Sequence, residues 1–511
     1  MEHLSRPAAA EAERILRDLL SREDLTPEHP PEVEAEAAAL TPDAAAPELF
    51  DLTALPFVTI DEVSSRDLDQ AVHIQAEGDG HIVHYAIADA SHFVRPGSAL
   101  FAEALRRGTS YYLPGLVVPM LPKRLSEDVI SLGPGVDRRA LVFTVRLDRE
   151  GRSVSKKIER ARVRSRAKLA FGHVQAFYDG GALVDTFGAA VTDAAILTSL
   201  RELAVVGKRR LLLADERHVV PFRRVEMQID LGPRGFIAFV DPRFDIERYN
   251  EQISLLCNVT GAELLARAPS HVQPIWRVHE PPSRERLASL ASRIAELIAE
   301  RRLPASFRWS PSEEGLDAYL RRLPEDRVAA AIHRQAMVGG GSALFTAVPG
   351  AHAGVGADAY ARFTAPMREI VGIFVHGEVM ERVDSPFGDE ALREQVIESA
   401  NRARETQRRL DHAINRLVLD ALLADTLARG IERGGTVMGV TRDKVHVRLD
   451  DPPIDVKVYV GHLADQRGAI ELSERGSALR CADGSSWALG DAVKLRVLGR
   501  DDRDRWELAI R

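Results

Sequence analysis

The run Phe57-Val58-Thr59-Ile60-Asp61-Glu62-Val63-Ser64-Ser65-Arg66-Asp67-Leu68-Asp69-Gln70-Ala71 decides how this chain is read. Phe57, Val58 and Ile60 predict an apolar strand that delivers Asp61, and a polar loop then brings Asp67 and Asp69 into the same short span. Carboxylates held this close repel one another. At an effective dielectric of 20, a pair about 4 Å apart costs on the order of 4 kcal/mol unless a cation lies between them. Hard divalent ions such as magnesium take oxygen ligands of this kind and keep positions open for phosphate oxygens. An isolated Asp-x-Asp is more often a solvated acidic turn, so the surrounding sequence has to decide.

Leu52-Thr53-Ala54-Leu55-Pro56 precedes the run, and three further blocks follow it in order. They are Tyr112-Leu113-Pro114-Gly115 leading to Val118-Pro119-Met120-Leu121-Pro122, then Arg277-Val278-His279, then Phe363-Thr364-Ala365-Pro366-Met367-Arg368. Together these blocks resemble the signature of the ribonuclease II/ribonuclease R family, over roughly residues 49–511. The resemblance implies a hydrolytic, magnesium-dependent enzyme that degrades single-stranded RNA processively from a free 3′ end. Its products would be nucleoside 5′-monophosphates and a short residual oligonucleotide.

The same resemblance implies roles residue by residue. Asp61, Asp67 and Asp69 would bind magnesium and order the attacking water, and Arg368 would meet the scissile phosphate. Where the family has a fourth aspartate this chain has Gln70, expected to be an uncharged and weaker metal ligand. Tyr112 would stack on the 3′-terminal bases. The family's partner aromatic is replaced by Gln273, and Trp276 is the nearby ring that would serve, against the alternative of a core role. The residues after Arg368, beginning with Glu369, also depart from the family pattern. A competing reading is a catalytically weakened RNA-binding relative, which Gln70 favours and the joint presence of Asp61, Asp67, Asp69 and Arg368 opposes. A nuclease acting on DNA is a third.

The chain has 511 residues, 45% apolar and 28% charged, with room for two or three domains with full cores. Cys257 and Cys481 are its only cysteines, which excludes a disulfide framework or a cysteine zinc site and fits a reducing cytoplasm. There is no apolar signal core and no window of 18 uninterrupted apolar residues, so neither secretion nor a membrane span is expected. Gly339-Gly340-Gly341-Ser342 lacks the lysine of a phosphate loop, no Gly-x-Ser-x-Gly elbow occurs, and the 16 histidines show no paired ligand spacing.

The net charge of −8 does not advertise a nucleic-acid partner, so the placement of charge matters more than its sum. Arg160, Arg162, Arg164 and Arg166 alternate with Ala161, Val163 and Ser165, which in a strand puts all four on one side. That side is either a solvated face or a rail for RNA, with Arg164 and Arg166 as the candidate contacts. Arg402, Arg404, Arg408, Arg409 and Arg416 read as an ion-paired helix surface.

The expected class is α+β, in three parts. Residues 1–48 are Ala- and Glu-rich and predict a short helical element, too small for the OB-type barrels that usually open the family. Residues 49–430 form the catalytic domain. Residues 431–511 carry five short strands, Gly435–Val440, Lys444–Leu449, Val456–Val460, Ala492–Leu498 and Trp506–Ile510, as in an OB-fold barrel of the S-one RNA-binding type. A monomer is expected.

Overall fold

The computed structural model describes residues 2–3, 9–220, 227–232, 235–240, 243–338, 340–380 and 387–511. It is a mixed α+β fold. Helices α1 (Ala9–Arg22) and α2 (Pro31–Ala39) precede the main sheet. Leu16 and Leu20 lie on one face of α1, four residues apart, and are buried in the same apolar cluster as Tyr111, Leu113 and Val118.

A six-stranded sheet follows. Its first strands are β1 (Phe50–Asp51), β2 (Phe57–Asp61), β3 (Gln70–Glu77) and β4 (Gly80–Ala88). Helix α3 (Ala99–Arg107) and the hairpin β5 (Tyr111–Leu113) with β6 (Leu116–Val118) intervene before β7 (Asp137–Leu147) and β8 (Ser153–Ala170). The strand order is β1-β8-β2-β3-β4-β7, and β7 pairs back onto β8, so the sheet closes on itself. The length of β8 makes the closure possible. Its first part pairs antiparallel with β7, while Ser165–Ala170 pairs parallel with β2.

Ile82, Val83, Tyr85, Ala86, Ile87 and Ala88 of β4 are all buried, a near-continuous apolar run that requires cover on both faces. Part of that cover is α4 (Ala194–Glu216), which lies against β3 and against α5 (Asp245–Leu265). Gly207 permits the close crossing of α4 on α5, since a Cβ there would stand 2.4 Å from Tyr249.

Strand β9 (Trp276–Val278) pairs with β10 (Leu344–Thr346). The buried α6 (Ile370–Met380) and the 40-residue α7 (Glu390–Arg429) complete the region. Both ends of α7 are capped. The Asp389 side chain accepts from the Leu392 amide, and Gly430 takes φ 61, a left-handed conformation that glycine adopts without a Cβ clash.

Beyond α7 lie β11 (Glu432–Val440), β12 (Lys444–Leu449), β13 (Asp455–Tyr459), α8 (Val460–Arg467), β14 (Ala492–Arg500) and β15 (Trp506–Ile510). Their order is β13-β12-β11-β14-β15, and the outer strands β13 and β15 lie against each other. One apolar cluster runs from α1 through Leu410 and Ile414 of α7 to Val437, Val445 and Leu495 of this sheet.

Candidate active site

Asp61 ends β2 and Gln70 begins β3, so the chain leaves the sheet and re-enters it with the acidic loop between. Local bonds shape the loop. The Asp61 carboxylate accepts from the Glu62 amide at 2.8 Å and from Ser65 Oγ at 3.0 Å. Distant groups pin it. Lys168 of β8 donates to the Val63 carbonyl at 2.7 Å and to the Ser65 carbonyl. Ser131 Oγ donates to the Arg66 carbonyl and accepts from the Leu68 amide.

Asp69 is 2% exposed. Its carboxylate accepts from Arg368 Nε at 2.7 Å and from the Met367 amide at 3.0 Å. The two blocks, 299 residues apart in sequence, thus meet at one carboxylate. The loop bearing Arg368 is held from α5. Asn258 accepts from the amides of Phe363 and Thr364, and donates to Tyr360 Oη and Thr364 Oγ1. The only hint of Asn258 in the sequence is an amide among Ile253, Leu256 and Cys257 on an apolar helix face.

Tyr112 is 47% exposed, on a hairpin tied to the same loop. Thr109 Oγ1 and the Ser110 amide both donate to the Arg368 carbonyl, at 2.8 and 2.9 Å. Gln407 of α7 brackets the Tyr112 backbone with two bonds of 3.2 Å. Tyr112 is about half exposed; burial pushes its phenol up to about 12, with Arg368 pulling the other way.

Burial pushes the Asp69 carboxyl up to about 6, with Arg368 and the Met367 amide opposing it. Asp67 is also raised, first by burial and then by Asp61, against the pull of Arg368. Arg368 is held well above its ordinary range: burial works against its charge, and Asp69 and Tyr112 outweigh it.

Several expectations change here. The Gln70 amide oxygen accepts from the buried Tyr85 hydroxyl, and the amide nitrogen donates to the Thr364 carbonyl. Gln70 ties the sheet to the Arg368 loop. Trp276 is 3% exposed and packs in the main apolar cluster, so it does not stack on RNA in this structure. The Gln273 backbone N–H donates to the Glu378 carboxylate, and its side-chain amide donates to the His271 carbonyl. The arginines of β8 do share a side, but each is engaged there. Arg160 pairs with Asp89, Arg162 with Asp51, and Arg164 with Asp137, while Arg166 donates to the Thr53 carbonyl. These contacts hold β8 to neighbouring strands and loops, and Arg166 stays exposed.

Among the described residues, no three His, Cys, Asp or Glu side chains are arranged to hold a metal ion. Asp69 accepts one hydrogen bond on each oxygen, from the Met367 amide and from Arg368, and keeps a lone pair on each. The loop suits a hard cation in its chemistry: Asp67, a carboxylate raised by burial, with Asp61 adding to its repulsion.

The model of the RNB domain matches residues 50–381, and the chain belongs to the RNB family. Among relatives, it is 31% identical over 502 residues to ribonuclease R of Vibrio cholerae, an alignment covering 94% of this chain and 59% of that protein. It is 29% identical over 495 residues to ribonuclease R of Escherichia coli, covering 92% of this chain and 58% of the relative. The chain thus spans about three fifths of the length of these curated relatives. Its fold is similar to Mycoplasma genitalium RNase R in complex with ribose methylated single-stranded RNA, with a TM-score of 0.85 at 20% identity over 97% of this chain and 78% of that one. It is also similar to yeast Ssd1, a pseudonuclease, with a TM-score of 0.69 at 18% identity over 93% of this chain and 58% of that one.

Proposed function

We propose that this chain is a processive 3′→5′ exoribonuclease that hydrolyses single-stranded RNA to nucleoside 5′-monophosphates with magnesium. The observation that carries the reading is the convergence of Asp69, Arg368 and the half-exposed Tyr112 beside Asp61 and Asp67. Arg368 is steadied through Nε by Asp69, which supports a phosphate-binding role for the rest of its guanidinium. Tyr112 offers a half-exposed side chain to a terminal base, a contact indifferent to sequence, as stepwise degradation requires. Asp61 and Asp67 would hold magnesium. Bound there, the ion would neutralise phosphate charge and lower the pKa of a bound water.

The C-terminal sheet supports a single-strand grip. Its strand order, the helix that follows its third strand and the meeting of its outer strands support an OB-fold reading. Two of its aromatics carry cations: Arg500 lies 4.2 Å from the Trp506 ring, and Arg505 lies 4.6 Å from Tyr459.

The test is an incubation of 5′-labelled RNA and DNA oligomers with magnesium or a chelator, resolved on a gel, with Asp67→Asn alongside. The expected result is RNA shortened from its 3′ end only with magnesium and only by the parent. RNA bound but never shortened would instead make this a weakened RNA-binding relative, and equal loss of DNA would remove RNA selectivity.

A further inference from the structure

Three arginines near Arg368 share a single carboxylate. Arg277 faces Phe345 across the β9–β10 pair, with its guanidinium carbon 5.5 Å from the ring centroid. Arg404 of α7 stands 5.9 Å from the same ring. Arg362 forks onto Glu369, its Nε 3.1 and 3.2 Å from the two oxygens. Glu369 is the acid that acts on all three. The balance among these four side chains is therefore two positive charges in excess.

Neither surplus cation has a carboxylate of its own among the described residues. Arg277 Nε is buried without a hydrogen-bond partner, and the Arg277 guanidinium makes no ion pair among the described residues. Arg404 donates to the neutral Ala343 carbonyl. Burial and the neighbouring arginines lower both, Arg404 to about 10. Half-buried like charges without counter-ions oppose folding, so packing alone does not account for them. Nor are they needed to join β10 to α7, because Asn401 already accepts from the Phe345 amide and donates to its carbonyl, at 3.0 and 2.9 Å.

We propose that Arg277 and Arg404, steadied by Phe345 and the Arg362–Glu369 pair, form a second phosphate-binding subsite for a phosphodiester neighbouring the one at Arg368. The inference rests on the exoribonuclease reading above. Arg368, Arg277 and Arg362 all act on the Glu369 carboxylate, which puts the subsite beside Arg368, and a nucleic-acid strand presents phosphates in succession. Guanidinium forks match phosphate oxygens two at a time, and a bound phosphodiester supplies the missing negative charge.

The experiment compares the parent with Arg277→Met. It measures melting temperature with and without pyrophosphate, and RNA-oligomer affinity in chelator as a function of salt. The variant is expected to melt no lower than the parent, because a repelled charge has been removed. It should lose stabilisation by pyrophosphate and bind RNA about tenfold more weakly, with the slope of log K against log salt reduced by about 0.7–1. Unchanged affinity and slope would overturn the subsite. So would a lower melting temperature with an unchanged slope, which would make Arg277 structural. A parent that binds no RNA would overturn the exoribonuclease reading instead. The pyrophosphate arm would then still decide the subsite, by stabilising the parent and not the variant.

Discussion

Lys168→Met separates two roles for a residue that closes the basic run of β8. Lys168 is buried and donates to the carbonyls of Val63 and Ser65, inside the loop between Asp61 and Asp67. Hydrogen bonds from a charged donor contribute about 1.5–3 kcal/mol each. Val63 is exposed, so water replaces part of that loss, and the expected destabilisation is about 2 kcal/mol by urea unfolding. The effect on hydrolysis should be larger, because the loop sets the positions of both carboxylates, and a displacement of about 1 Å costs on the order of 10²-fold. Single-turnover hydrolysis of an RNA oligomer measures this, and affinity in chelator should stay within about twofold of the parent, on the scale where tenfold is 1.4 kcal/mol. Unchanged stability with weaker, less salt-dependent RNA binding would refute the argument and make Lys168 a phosphate contact.

Gln70→Asp removes the donor that Thr364 carbonyl accepts from, and should cost about 1–3 kcal/mol in chelator; a variant as stable as the parent would show that Gln70 ties nothing. Tyr112→Ala should lengthen the final product with little change in melting temperature, since Tyr112 is about half exposed; a lower melting temperature with an unchanged product would assign Tyr112 to packing. His376 is 0% exposed, Nε2 lies 2.8 Å from the Phe363 carbonyl, and burial lowers its pKa to about 4. The unfolded chain takes up this proton first, near pH 6.5, so stability falls as pH drops from there toward 4, by about 2 kcal/mol at pH 5. His376→Gln should show a correspondingly flatter loss between pH 7 and 5 in urea unfolding, and an identical pH dependence would refute the assignment.

The linear order of residues is enough to locate the acidic loop, the Arg368 block and the C-terminal strands. Each rests on local pattern: an apolar run before Asp61, a family motif read as consecutive residues, and alternation with a period of two. The roles of polar side chains are different, because they depend on which donor or acceptor folding brings within about 3 Å. Gln70 reads as a metal ligand, and only folding brings Thr364, 294 residues away, and Tyr85 to the two ends of its amide. The β8 arginines read equally as a rail or a solvated face, and only folding brings Asp51, Asp89 and Asp137 to them from other strands and loops. Trp276 belongs to the core, and Arg277 and Arg404 meet over Phe345, only because β9, β10 and α7 converge there. Local periodicity constrains which face of an element is buried, whereas the partner of a buried charge or amide is set by long-range closure of the chain.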